Sequence, residues 1–161
     1  MIELRPILPT LAENQVFAAN PDCAETLQMS IDYYQTIGYH PPWIGYYAYL
    51  GHNLVGSAGF KGRPVDNKIE IAYGTLPAFQ RQGIGTAICR RLVTLARATD
   101  PHVLITARTL PEENYSVRIL RKNHFRLFGE VWDKDDGRVW EWHYEAAADV
   151  ISSAGIDQPV L

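Results

Sequence analysis

The sequence predicts one mixed α/β domain, with a central sheet of about six to seven strands that includes one parallel pair, flanked by about four helices. Three observations predict it. Apolar residues alternate over short segments at the start, middle and end of the chain, which is the strand period. Between residues 76 and 102, Ile88, Leu92, Val93 and Leu95 recur at helical spacing, and a helical crossover makes the strands it joins parallel neighbours. The chain of 161 residues is 47% hydrophobic and 20% charged, which suffices for one buried core.

The elements follow in order. Residues 2–5 alternate and stop at Pro6, as an edge strand does. Residues 11–19 and 23–37 suit two helices, the second capped by Asp22 and ended by Gly38. His40-Pro41-Pro42-Trp43 is extended loop, because each proline biases its predecessor away from helix. Residues 45–50 and 54–60 form a hairpin around Gly51-His52-Asn53, and a third strand covers 68–76 until Pro77 stops it. An amphipathic helix of about fifteen residues begins past Gly85. Residues 102–108 are a strand rich in Val, Ile and Thr, and 112–124 a helix that starts near Pro111. Residues 127–132 and 138–144 close the domain as a hairpin around Asp136-Gly137. The domain is expected to span 1–145, and 146–161, where periodicity fades into Ser, Gly and Pro, to be a loosely held tail.

Composition excludes several functions. Fifteen basic against eighteen acidic residues give a net charge of −3, with no long basic run, so no nucleic-acid partner is expected. Two isolated cysteines, Cys23 and Cys89, supply neither a disulfide framework nor a zinc site, and no metal is expected. The amino terminus carries charges and Pro6 and Pro9 before any apolar run, and the longest apolar stretch, 44–50, is too short to span a bilayer. The expected location is cytoplasmic, without a membrane partner.

The chemistry concentrates in Gln80-Arg81-Gln82-Gly83-Ile84-Gly85-Thr86, between a strand and the long helix. Glycines there permit backbone angles and close approaches that a Cβ obstructs. Such a turn aims unpaired N–H groups outward at a helix start, where the dipole favours an anion and Arg81 adds charge. A glycine turn that only packs helix on strand has the same outline. A dinucleotide fingerprint is absent: the third glycine position holds Ile88, and no acid lies about twenty residues past Gly83. A phosphate loop ending in Gly-Lys-Ser/Thr is absent too.

With these residues the chain resembles the GNAT N-acetyltransferases. Gln80 to Gly85 matches their Q/R-x-x-G-x-G/A hallmark. Ile69-Glu70-Ile71-Ala72-Tyr73-Gly74-Thr75-Leu76 is similar to the strand before it, and Asn114 to Phe125 to their later N-x-x-S/A-x-x-x-L-x-K-x-G-F helix, with His124 in place of glycine. Gly129-Glu130-Val131-Trp132 and Arg138-Val139-Trp140 resemble the terminal hairpin of the branch that includes ribosomal-protein N-acetyltransferases. The resemblance implies a splayed parallel strand pair and acetyl-CoA as cosubstrate. It implies that the backbone of Thr75 and Leu76 holds pantetheine and that the amides of Arg81, Gln82, Gly83, Ile84, Gly85 and Thr86 hold the pyrophosphate. Asn114 would bond the arm near the thioester, although an asparagine there also serves as a helix cap.

The reaction implied is acetyl transfer to a primary amine in one ternary complex; the alternative is a non-catalytic acyl-CoA-binding module. At pH 7 an α-amine is about a tenth neutral and a lysine below about a thousandth, so a base matters most for lysine-like acceptors. Glu70, interrupting an apolar run, is the candidate base. For the general acid, Arg121 occupies the position where many relatives carry tyrosine, and Tyr115 and Tyr73 are nearby. Tyr33, Tyr39, His40 and Trp43, with Tyr34, Tyr46 and Tyr47 around them, are candidates to wall the acceptor site. The acceptor would be a small amine or a protein N-terminus, and a homodimer is possible by analogy with relatives.

Overall fold

The structure is a computed structural model that describes residues 1–146; the expected tail, 146–161, lies outside them but for Ala146. Seven strands and four helices follow in the order β1 (Ile2–Pro6), α1 (Gln15–Ala18), α2 (Ala24–Ile37), β2 (Gly45–Leu50), β3 (Asn53–Phe60), β4 (Lys68–Thr75), α3 (Ile84–Thr99), β5 (Leu104–Thr109), α4 (Tyr115–Lys122), β6 (Phe125–Asp133) and β7 (Gly137–Tyr144). They form one sheet of order β1-β2-β3-β4-β5-β7-β6. All neighbours are antiparallel except β4 and β5, which α3 joins as the parallel pair.

Helices cover both faces. Ser57 and Gly74 turn to α2, whereas Gly56 packs against Ile88 of α3, as the alternation of successive strand residues requires. On the α2 side, Tyr34 accepts a hydrogen bond from Gly45 N–H (2.8 Å) and donates to Ile7 O (3.0 Å). On the α3 side, Ile88, Cys89, Leu92 and Ala96 are fully buried in one stripe.

Four local expectations are corrected. The first helical segment is a 3-10 turn, Ala12–Asn14, and one α-turn, because buried Asn14 bonds Leu8 N–H, Leu8 O and Thr10 O and pins the chain there. Asp22 caps nothing; Cys23 stands at the α2 N-cap without a side-chain bond. The strand expected at 102–108 is displaced to Leu104–Thr109, because Asp100 caps the turn before it by accepting from His102 N–H. The helix expected at 112–124 begins at Tyr115, where Asn114 accepts from Val117 N–H at 3.0 Å.

Candidate functional site

The site begins where the parallel pair ends. β4 and β5 pair only over Lys68↔Leu104, Ile69↔Ile105 and Glu70↔Thr106. Beyond, residues 71–75 stay on β3 and 107–109 stay on β7, so the two strands part and leave a wedge. Lys61 N–H donates to Glu70 O (2.9 Å) and Leu76 N–H to Val55 O (2.8 Å). Even residues of β4 therefore direct their backbone groups to β3, and odd ones, Tyr73 and Thr75, direct theirs into the wedge. Leu76 is thus committed to β3. Tyr73, which sequence reasoning considered only for its hydroxyl, presents backbone beside Thr75. Register parity was its only signal.

At the mouth of the wedge, Arg81 (φ +64°) and Gly83 (φ +78°) adopt left-handed backbone before α3. The two glycines serve different needs. Gly83 has open space around its Cα, so its φ is what requires glycine. At Gly85 a Cβ would lie 2.8 Å from Ile119 Cδ1 and 3.2 Å from Thr75 Oγ1. The N–H groups of residues 81–86 donate to no protein acceptor among the described residues; Ala87, bonded to Gly83 O at 3.1 Å, is the first that does. Six consecutive amides are therefore free for an anion at a helix start. Gln80 donates to Thr75 O (3.2 Å), tying the turn to the strand end.

A groove of about 640 Å³ runs from this turn along α4, lined by Tyr73, Thr75, Arg81, Tyr115, Ser116 and Arg118 among others. Asn114 uses its side-chain oxygen to cap α4, leaving the Nδ2 donors without a protein acceptor among the described residues. Arg118 and Ser116 were missed in sequence; Arg118 stands four residues after Asn114, hence on its helix face. Arg121 does not line the groove. It forms a bidentate pair with Glu113 (2.7 and 2.9 Å) and lies over the Trp142 ring. The Tyr73 hydroxyl turns to α3 and lies against the Cys89 thiol, and burial pushes that thiol up to about 12.

At the apex, Glu70 is shared between two cations. One oxygen meets Lys61 Nζ and the other lies 3.6 Å from Arg108 Nε. Arg108 also donates to Asp133 (2.9 Å) and Glu141 (3.3 Å), and Glu141 contacts His143 (2.9 Å). The hydrogen bond from Arg108, with those from the backbone N–H groups of Asp135 and Asp136, holds the Asp133 carboxyl well below the usual carboxylate range. Both Glu70 oxygens thus face cations.

On the α2 face a cleft of about 380 Å³ lies over β2, β3 and β4. Its floor is small: Ser57 is cross-strand from Gly74, and Gly59 from Ala72. Tyr33 lines it, whereas Tyr39, His40 and Trp43 do not: Tyr39 packs edge-on to Tyr34 and Trp43 to Phe60. Tyr34, Tyr46 and Tyr47 line it in their stead, their hydroxyls bonded within the protein, and burial pushes each phenol up to about 12. Gly74 borders both cleft and groove. Among the described residues no cluster of His, Cys, Asp and Glu could hold a metal, and no helix is long and apolar enough to cross a membrane.

Comparison with known proteins follows the same outline. The acetyltransferase (GNAT) domain profile matches residues 2–126. In fold the chain is similar to the ribosomal L7/L12 alpha-N-protein acetyltransferase RimL in complex with coenzyme A, at TM-score 0.64 and 20% identity over 92% of this chain and 96% of that one. It is similar to aminoglycoside acetyltransferase AAC(6')-Ib in complex with coenzyme A and kanamycin, at 0.66 and 19% over 96% and 99%. An IAA acetyltransferase from Bacillus cereus ATCC 14579 aligns at 0.59 and 14% over 91% and 99%. At these identities the likeness is one of fold. No curated protein matches in sequence.

Proposed function

We propose that this chain, which belongs to the GNAT acetyltransferase family, moves an acetyl group from acetyl-CoA to a primary amine by direct attack in a ternary complex. The observation that carries the reading is the row of six unpartnered amides at 81–86, set at the mouth of the wedge between β4 and β5. A pyrophosphate needs several donors and positive potential, and these amides, the start of α3, Arg81 and Arg118 supply both. Structures of similar fold hold coenzyme A, which supports the reading.

Acetyl-CoA, when bound, supplies the activated thioester. Tyr73 and Thr75 would hold its arm by strand-like pairing, with the Asn114 amide donating alongside. Gly74 borders both groove and cleft, so the two meet at a residue without a side chain. Both cysteines are buried, and burial raises both thiols, which fits direct attack rather than a cysteine-bound acyl group. Glu70 we assign as a positioning residue that fixes Lys61 and Arg108, because it is paired with both cations at the apex of the wedge.

That engagement of Glu70, with Arg121 outside the groove, favours a second reading, a non-catalytic acyl-CoA-binding module. Turnover of any amine excludes it. The cradle itself is tested by calorimetric titration of acetyl-CoA into wild type and Gly83→Asp. Affinity is expected to fall at least tenfold in the variant, as a carboxylate enters the row of donors; unchanged affinity rejects the assignment.

A further inference from the structure

The cleft on the α2 face carries information about the amine. Among the described residues, no aspartate or glutamate lines it. The charged group at its edge is Lys61, which is paired with Glu70. A polycation placed here would exchange water for aromatic and small apolar walls with no counter-charge, an exchange that costs free energy at every ammonium group beyond the reacting one. Glu70, held by Lys61 and Arg108, and Asp22 line neighbouring cavities rather than this one.

The polar groups of the lining are mostly spent as well. Tyr34 bonds Ile7 and Gly45, Tyr46 bonds Pro42, and Tyr47 bonds Thr26 and Cys23. A peptide acceptor would bring amide groups that need partners, and an unmet buried amide is costly. Among the described residues, the side-chain hydroxyls left in the lining are those of Ser30, Tyr33 and Ser57. The volume, about 380 Å³, is at the small end of ligand sites.

We infer that the acceptor is a small monoamine with an uncharged apolar body, which rests on the acetyltransferase reading above. The body lies between Met29 and Tyr33 of α2 and the floor of Ser57, Gly59 and Ala72, with the nitrogen reaching the thioester past Gly74. Polyamines, aminoglycosides and peptide N-termini are poor acceptors for the reasons of charge and hydrogen bonding just given.

The test is steady-state acetylation at saturating acetyl-CoA with 2-phenylethylamine, hexylamine, spermidine, kanamycin and an uncharged tripeptide amide. The kcat/KM for the two apolar amines should exceed that of the other three at least tenfold. A preference for spermidine, kanamycin or the peptide overturns the inference and leaves the acetyltransferase reading standing. Turnover of none, with acetyl-CoA bound, overturns that reading and this inference together. Met29→Glu supplies an independent arm, because Met29 is 64% exposed and tolerates the change in the fold. It should move the spermidine-to-phenylethylamine ratio at least tenfold toward spermidine with the KM for acetyl-CoA unchanged; an unmoved ratio places the amine elsewhere.

Discussion

Arg108 Nε stands 3.6 Å from Glu70 Oε1 across the point where β4 and β5 stop pairing. One guanidinium thereby ties β4 to the carboxylates of Asp133 on β6 and Glu141 on β7. The wedge has a charged hinge at its apex, and Lys61 completes it from beyond the end of β3.

Glu70→Gln removes the anion between two cations. Stability should fall by about 1–3 kcal/mol, the range for hydrogen bonds to charged groups, measured by urea unfolding. The pH–rate profile should keep its acid limb. A loss of about 10² or more in kcat together with that limb would instead identify Glu70 as the base.

Two arginines three residues apart on α4, Arg118 and Arg121, divide between groove and surface: Arg118 lines the groove and Arg121 does not. Arg118→Ala should weaken acetyl-CoA roughly tenfold or more, as loss of a charge-assisted contact does. Arg121→Ala, which removes an exposed pair with Glu113, should change it less than about twofold. Titration calorimetry on both variants checks the contrast.

Acid should weaken the fold through Asp133. Its carboxyl is held below its ordinary value by the hydrogen bond from Arg108 and then by the N–H groups of Asp135 and Asp136. A depressed folded value means that its contribution is fully present above the ordinary carboxylate pKa and is lost as pH falls toward the folded one. Asp133→Asn should therefore flatten the acid side of the stability curve, read from unfolding midpoints at successive pH values.

Gly85→Ala should destabilise by about 1–3 kcal/mol, because the new Cβ meets Ile119 Cδ1 at 2.8 Å. Adding Ile119→Val, which deletes that methyl, should recover part of the loss in thermal melts. The same variant pair tests whether α3 and α4 must approach this closely to shape the groove.

His124 has φ +66° without being glycine. His124→Gly should stabilise by about 1 kcal/mol by relieving left-handed strain, and His124→Val should cost at least as much. Thermal unfolding measures both.

Much of this was legible because it is local. The turn at Gly83 and Gly85, the stripe of α3 and the Asp136-Gly137 hairpin each depend on residues within a few positions, where period and turn chemistry act directly. The start of α4 was legible only as an alternative, since Asn114 could be read as a helix cap or as a cofactor contact. Asn114, rather than Pro111, opens the helix, and the packing of α4 on the sheet leaves Arg118 in the groove and Arg121 paired with Glu113 outside it.

The sequence by itself determined the element types, the parallel crossover and the glycine turn before α3, since short-range sterics and hydrogen bonding decide them. The tertiary structure decided that Tyr73 and Thr75, not Leu76, present backbone to the wedge, that Glu70 is held between Lys61 and Arg108, and that the cleft has a floor of Ser57, Gly59, Ala72 and Gly74. Each of these depends on the register between strands distant in sequence, and a shift of one residue in register reverses every side chain and every backbone group.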